Sequence, residues 1–298
     1  MEKWNLKFNP TSVDAQHVPQ EFLGEMMRLP SFEIQEVKKT EGEQKVVHDL
    51  NIAAERVFSA LKLAPIHVPL ERLHVVTPEA YRTLPAWRET SVALTRRDHI
   101  YVQRSENPES KKFIDGLSHE MAHVLSFSWE NVMTTPFPKG DTGVYTSTKR
   151  SGFHFWDLEG KEYSGFLGVN EALTELFAGR LRFAYADIRK FSRKEKYFFQ
   201  LTDTYTVPIV LLRTLFARFG GKQPRRMEDD YLRAYITGDI SILRGLEKQC
   251  KGAVKALTEM SPSLDDCRKA ARVLGIQDEY EESIKPLFEI THDDKKSE

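Results

Sequence analysis

The chain has 298 residues, with 43 lysines and arginines against 44 aspartates and glutamates, and its formal net charge is −1. This balance gives no reason to expect a nucleic-acid or membrane-surface partner. The sequence has no apolar stretch of transmembrane length and no apolar signal segment after Met1, and its two cysteines predict reduced thiols rather than a disulfide framework. We therefore expect a cytoplasmic globular protein.

Residues 1–104 have the pattern of an N-terminal α/β scaffold. Apolar side chains at helical spacing within 46–61 predict a helix. Runs of β-branched and apolar residues predict three strands, at Leu73–Val76, Ser91–Thr95 and His99–Gln103, the last two forming a hairpin. His74 and His99 are isolated in the sequence, and we expect structural roles for both.

Residues 105–190 contain the strongest chemical signal, an H-E-x-x-H motif from His119 to His123. Its helix is predicted to begin at Asn107-Pro108. Apolar residues recur at helical spacing through the motif, at Phe113, Leu117, Met121 and Leu125. The four-residue spacing places both imidazoles on one face, where they can bind one metal ion, and Glu120 can reach a water held there. The alternative is a pair of hydrogen-bonded histidines beside a solvated glutamate.

A second segment, N-E-x-x-T-E at 170–175, lies on a predicted helix that is apolar over much of its length. Its two carboxylates, Glu171 and Glu175, share one face, and carboxylates are rarely buried without a partner. A cation beside His119 and His123 is a suitable partner, and two histidines with one glutamate are a common set for catalytic Zn²⁺. The spacing alone does not decide which glutamate is the ligand.

The H-E-x-x-H motif followed by a helix that opens N-E-x-x-[ST]-[DE] resembles the gluzincin metallopeptidases, of which thermolysin is the best-known member. The resemblance covers two short segments and implies zinc ligands at His119, His123 and Glu171, a general base at Glu120, a carboxylate behind a liganding histidine at Glu175, and Asn170 as the residue preceding the ligand. The two motifs lie further apart than in thermolysin, and no G-x-M-E-N segment occurs. The chain is therefore more similar to minimal, minigluzincin-type proteases with additions.

The resemblance also implies a fold. We expect an α+β protein with a zincin-like core, made of a small mixed sheet, an active-site helix and a glutamate helix, followed by a helical C-terminal region. In zincin folds the strand before the active helix forms the sheet edge that binds substrate backbone. This assigns substrate binding to His99, Ile100, Tyr101, Val102 and Gln103. A plain core hairpin is the alternative.

Between the two motifs, glycine, threonine, proline and aromatic residues predict a long irregular insert beside the site. A turn at 158–161 favours a hairpin between Phe153–Asp157 and Glu162–Phe166. The insert also holds candidate donors for the oxyanion of amide hydrolysis, His154, Tyr145 and Tyr163, of which Tyr163 is preferred.

Residues 191–290 are predicted to be helical, and 291–298 to be a frayed tail. Ser192 and Glu195 suit a capping box. Further helices are predicted at 207–219, 229–236, 241–248, 253–260 and 264–274. No catalytic signature is found in this region.

The resulting hypothesis is a zinc peptidase that acts on peptides or proteins. Three alternatives stay open: a zinc-stabilised or degenerate binding protein without activity, a zinc hydrolase that is not a peptidase, and a cytosolic repressor-cleaving protease of the ImmA/IrrE type. Glu120 favours catalysis, because a purely structural zinc site does not need a base between its ligands.

Overall fold

The computed structural model describes residues 36–84, 91–96, 99–136, 142–157, 164–200 and 205–293. The helices within these ranges are α1 Glu41–Ala60, α2 Pro78–Arg82, α3 Lys111–Leu125, α4 Leu167–Ile188, α5 Arg193–Gln200, α6 Thr206–Phe219, α7 Pro224–Thr237, α8 Ser241–Gln249, α9 Ala253–Glu259, α10 Leu264–Val273 and α11 Gln277–Asp293. The strands are β1 Leu73–Val76, β2 Ala93–Arg96, β3 His99–Gln103, β4 Ser128–Pro136, β5 Thr142–Ser151, β6 His154–Asp157 and β7 Ser164–Gly165. The protein is thus α+β, as predicted, and most of its regular structure is helical.

The first sheet has the strand order β1-β3-β2. Strand β3 is parallel to β1, with Leu73 opposite Ile100, and antiparallel to β2, with Ala93 opposite Val102. The predicted hairpin is confirmed, but the prediction that His99–Gln103 forms the sheet edge is wrong. Both sides of β3 are already occupied by backbone partners, so this strand cannot accept a further one. On the β1 side the sheet is extended by a single bridge between Glu36 and Val76.

The two faces of this sheet have different surroundings. Ile100 and Val102 point into the main core. Tyr101 packs on the opposite face with Val76 and Tyr81. His74 lies on that second face, where its Nε2 is 2.6 Å from Nδ1 of His99 and its Nδ1 contacts the carboxylate of Glu36. The two histidines, isolated in sequence, therefore contact each other.

The insert between the motifs is regular rather than irregular. Strands β4, β5, β6 and β7 form an antiparallel sheet in chain order, with an irregularity in register between Asn131 and Val132. Threonines and β-branched residues favour extended backbone here, which outweighs the turn-forming residues between them. The β6–β7 pairing confirms the predicted hairpin, although the predicted turn at 158–161 lies outside the described residues.

Helix α4 lies at the centre of the helical part and packs against α1, α3 and α6. Helix α3 begins at Lys111, with Ser110 as its cap, rather than at the predicted Asn107-Pro108. The hydroxyl of Ser110 accepts a hydrogen bond from the backbone of Phe113 and so provides the cap that the sequence pattern placed too early. The core that surrounds α4 draws on all three predicted regions, from Val46 to Ile284.

The C-terminal helices confirm the predicted pattern, including the capping box of Ser192 and Glu195, but α11 continues to Asp293 and so includes the first three residues of the predicted frayed tail at 291–298. The C-terminal region also supplies hydrogen-bond acceptors for the first backbone N–H groups of α4. These N–H groups, on Phe166 and Gly168, donate to the carbonyls of Thr258 and Met260, both at 2.9 Å. A Cβ on Gly168 would lie 2.8 Å from the Met260 carbonyl oxygen, so only glycine allows this approach. None of the described helices is long and apolar enough to cross a membrane.

Candidate metal centre

Three side chains from α3 and α4 converge on one point. Nε2 of His119 lies 3.2 Å from Nε2 of His123, and Oε2 of Glu171 lies 3.5 and 3.6 Å from these two nitrogens. Two ligands held tetrahedrally at ordinary zinc distances are about 3.3 Å apart. The triangle of ligand atoms therefore fits a small divalent cation without rearrangement.

The outer nitrogen of His119 has a charged partner. Its Nδ1 donates a hydrogen bond of 2.8 Å to Oε2 of Glu175, a side chain that is 3 % exposed. Because Nδ1 donates to Glu175, Nε2 is the nitrogen of His119 that faces the triangle. The structure thus brings Glu175 against a candidate ligand, where the family resemblance had placed it.

The outer nitrogen of His123 has a neutral partner instead. Its Nδ1 lies 3.4 Å from the hydroxyl of Thr174, which donates to the carbonyl of Asn170 at 2.8 Å. The hydroxyl of Tyr235, from α7, lies 2.8 Å from that of Thr174. The C-terminal region therefore contributes to the surroundings of His123, a role that no sequence motif indicated.

In the metal-free protein, His119, Glu171 and Glu175 shift one another's pKa values. Burial by itself lowers the pKa of His119, but hydrogen bonds to Glu171 and Glu175 outweigh it and raise that pKa to about 10. Burial would raise the pKa of both glutamates, yet the pKa of Glu171 is held well below its ordinary value by His123 and His119, and that of Glu175 is lowered by His119 and Arg182. In the absence of a metal, a positively charged His119 therefore balances the two carboxylates.

Glu120 lies on the same turn of α3 as the two histidines and is half-buried. Its charge contributes to the raised pKa of His119, after the hydrogen bonds to Glu171 and Glu175. Its carbonyl accepts a hydrogen bond of 3.2 Å from the hydroxyl of Thr95, on β2. This bond ties the motif turn to the edge strand of the first sheet.

Asn170 has a structural task beside the site. Its Oδ1 accepts hydrogen bonds from the backbone N–H groups of Phe153 and His154, at 3.0 and 3.3 Å. It thereby fixes the start of β6 against α4. Burial lowers the pKa of His154. The charge of Glu171 raises this pKa, and the charge of His123 lowers it.

The other predicted donors cannot be placed. Tyr163 and the side chain of Tyr145 lie outside the described residues. The structure adds Tyr205, whose ring is stacked on that of His119 with centroids 5.7 Å apart. Its φ of 56° is left-handed, a conformation that costs energy for a side chain of this size.

The chain matches no protein-family model, no curated protein and no solved structure. Among the described residues, His119, His123 and Glu171 are the group that could hold a metal ion.

In the metal-free protein, the free energy of unfolding should fall as the pH rises from 6.5 to about 10. The folded-state pKa of His119 is raised, so its stabilisation is complete below 6.5 and is lost as the pH approaches 10. The lowered pKa values of Glu171 and Glu175 act at the other end, where stability is lost as the pH falls below 4.5. Denaturant unfolding across the alkaline range measures the slope. His119→Gln should flatten it, and an unchanged slope in that variant would contradict this account.

Proposed function

We propose that this protein is a zinc-dependent peptidase of the gluzincin type, acting on peptide or protein substrates. The observation that carries the proposal is the position of Glu120. It lies on the same helical turn as His119 and His123, whose Nε2 atoms form, with Glu171, a triangle of zinc dimensions. A site built only to hold a metal has no use for a carboxylate at that place.

The arrangement of elements supports a zincin-like core. Helix α3 packs under the first sheet, closely enough that a Cβ on Gly116 would lie 2.5 Å from Cγ2 of Val92. Helix α4 packs against α3 and brings Glu171 to the two histidines. In the proposed enzyme, the edge strand that the resemblance requires is β2, one strand earlier than predicted.

The protein's own residues suit amide hydrolysis. When bound, zinc would polarise the scissile carbonyl and lower the pKa of the attacking water. Glu120 takes the proton from that water and delivers it to the leaving amine. Glu175 and Thr174 hold the two histidines by their outer nitrogens, so that both rings keep their orientation.

The growing negative charge on the substrate oxygen needs a donor near the ligands. Among the described residues, the ring of Tyr205 stacks on that of His119, and the backbone N–H of His154 donates to Asn170, the residue before Glu171. Together with Tyr163, Tyr205 and His154 are the candidates for this role. Tyr205 is notable because its backbone is held in a strained conformation next to His119.

Substrate backbone is expected to pair with β2. The N–H of Gln103 donates to the carbonyl of Val92 at 2.8 Å, so by alternation the backbone groups of Thr95 face away from β3. Within the described part of the chain, the N–H of Thr95 donates no hydrogen bond. This N–H is available to an extended peptide beside Glu120.

Thr95→Pro should raise KM for a peptide substrate by roughly fivefold to tenfold, since one hydrogen bond of about 1 kcal/mol is lost. Proline is tolerated here because the missing N–H does not serve the β3 pairing. Thr95→Val is the matched control, because it removes the hydroxyl and keeps the N–H. Steady-state kinetics of both variants measure the difference. Equal KM values would mean that substrate does not pair with this strand.

The proposal as a whole is tested by metal analysis together with a peptide-library cleavage assay. The purified protein should contain about one zinc per chain and cleave peptides. The double variant His119→Ala, His123→Ala should contain no zinc and cleave nothing. Unchanged zinc content in that variant would reject the site. Zinc binding without cleavage of any peptide would favour a zinc-stabilised binding protein or a different zinc hydrolase.

A further inference from the structure

Arg182 is a charged residue inside the protein core. It lies on α4, about two turns beyond Glu175, and is 1 % exposed. Its Nη2 donates a hydrogen bond to Oε1 of Glu175. Burying an unpaired guanidinium costs free energy, so an arginine at this depth needs hydrogen-bonding or charged partners.

Two further partners of Arg182 belong to the motif helix. Its Nη1 donates to the hydroxyl of Ser118 at 3.2 Å, and its Nε is 3.5 Å from Oδ1 of Asp115. Both residues lie on α3 within one turn of His119. The planar fork of the guanidinium thus joins α4 to α3 immediately behind the metal triangle.

These contacts form a continuous path to a candidate ligand. Oε1 of Glu175 accepts from Arg182, and Oε2 of the same carboxylate accepts from Nδ1 of His119. With one donor on each oxygen, the carboxylate has a single orientation. Rotation of Glu175 would break both bonds, and the ring of His119 would lose the group that aims it.

Stability is a weak reason for such an arrangement. Buried ion pairs are often replaceable by apolar side chains of similar size without loss of folding free energy. An apolar contact to the same helix is present nearby, where Phe177 of α4 packs edge to face with Phe58 of α1. What an apolar residue could not supply is a fixed orientation of Glu175.

We propose that Arg182 is a positioning residue of the metal centre, which holds Glu175 in the orientation that keeps Nε2 of His119 directed at the metal. This inference rests on the proposed metal site and extends it to a residue outside both sequence motifs. Arg182 acts through Glu175 and does not touch the metal itself.

The test is zinc affinity, measured by chelator competition on the full chain. Arg182→Met should weaken zinc binding by about 10- to 100-fold, the usual effect of losing a partner behind a ligand. Arg180→Met is the matched control on the same helix, since Arg180 pairs with Glu228 and Asp229, away from the triangle. It should bind zinc as the parent protein does.

A double-mutant cycle with Glu175→Gln separates positioning from general packing. If Arg182 acts through Glu175, Arg182→Met should cost little further zinc affinity once Glu175 has been changed. An equal cost in both backgrounds would overturn the proposal, as would parental zinc affinity in folded Arg182→Met. Arg182→Lys keeps the charge without the fork and should show an intermediate loss of zinc affinity. If Arg182→Met does not fold, the zinc affinity of Arg182→Lys tests the proposal instead. Parental affinity in Arg182→Lys would also overturn the proposal.

The outcomes distinguish this inference from the proposed function. Tight zinc binding that Arg182 variants leave intact would reject the positioning role and leave the peptidase proposal standing. Weakened zinc binding in those variants, in a protein that cleaves no peptide, would support the positioning role and reject the peptidase proposal. A parent protein that binds no zinc would overturn both.

Discussion

Glu120→Gln is expected to retain zinc and the native fold while peptide hydrolysis falls by at least ~10²-fold. The amide has nearly the same shape as the carboxylate but cannot accept the proton of the attacking water. The three ligand atoms come from other residues, so zinc binding does not depend on this side chain. The carbonyl of Glu120, which accepts from Thr95, is also unchanged by the substitution.

Zinc content, thermal unfolding and kcat/KM of the same preparation measure the three parts of this expectation. Glu106→Gln is a suitable control, because Glu106 is an exposed glutamate ahead of the same helix. Full activity in Glu120→Gln would show that another group removes the proton. Loss of zinc in this variant would mean that Glu120 is a ligand, and the geometry proposed for the site would be wrong.

Glu171→Ala is expected to abolish tight zinc binding, whereas Glu175→Ala should weaken it by about 10- to 100-fold. The difference follows from which nitrogen each carboxylate meets. Glu171 lies 3.5 Å from Nε2 of His119, on the metal side, and Glu175 lies 2.8 Å from its Nδ1, on the far side. Two imidazoles without a carboxylate make a poor zinc site.

Chelator titration of both variants gives the order, and activity at added zinc should return for Glu175→Ala only. Asp187→Ala is the control on the same helix, because Asp187 pairs with Lys196 at the far end of α4. The reverse order would exchange the roles of the two glutamates. It would also remove the main support for the resemblance to thermolysin.

Local spacing was sufficient to predict two pairs of side chains, each on one helix face, while the choice of Glu171 as the third ligand came from the family resemblance. His119 and His123 are one turn apart on an amphipathic helix, so their common face follows from helix geometry alone. Glu171 and Glu175 are related in the same way, and each meets a different nitrogen of His119. Predictions of this kind succeed because they need no knowledge of distant parts of the chain.

The position of β3 could not be predicted in this way. The hairpin with β2 is a local signal, but the parallel pairing with β1 joins residues that are far apart in sequence. Ile100, Tyr101 and Val102 are all buried, a pattern typical of a central strand with both faces covered. That run of apolar residues was the available sign that His99–Gln103 was not an edge.

The outer residues of the site were missed for a related reason. Tyr205 and Tyr235 come from helices that carry no motif, and only the tertiary fold brings them to the histidines. Arg182 did leave a sign, because it stands between Leu181 and Phe183 in a strongly apolar helix. A cation in such a segment predicts a buried carboxylate nearby, and Glu175 is that carboxylate.

The first N–H groups of α4 donate to the carbonyls of Thr258 and Met260, which are synthesised after α4 itself. During synthesis, all three ligand residues leave the ribosome well before these acceptors. Until then the start of the glutamate helix lacks the partners that satisfy its backbone. The start of the helix that carries Glu171 therefore obtains its full set of backbone partners only once residues 258–260 are in place.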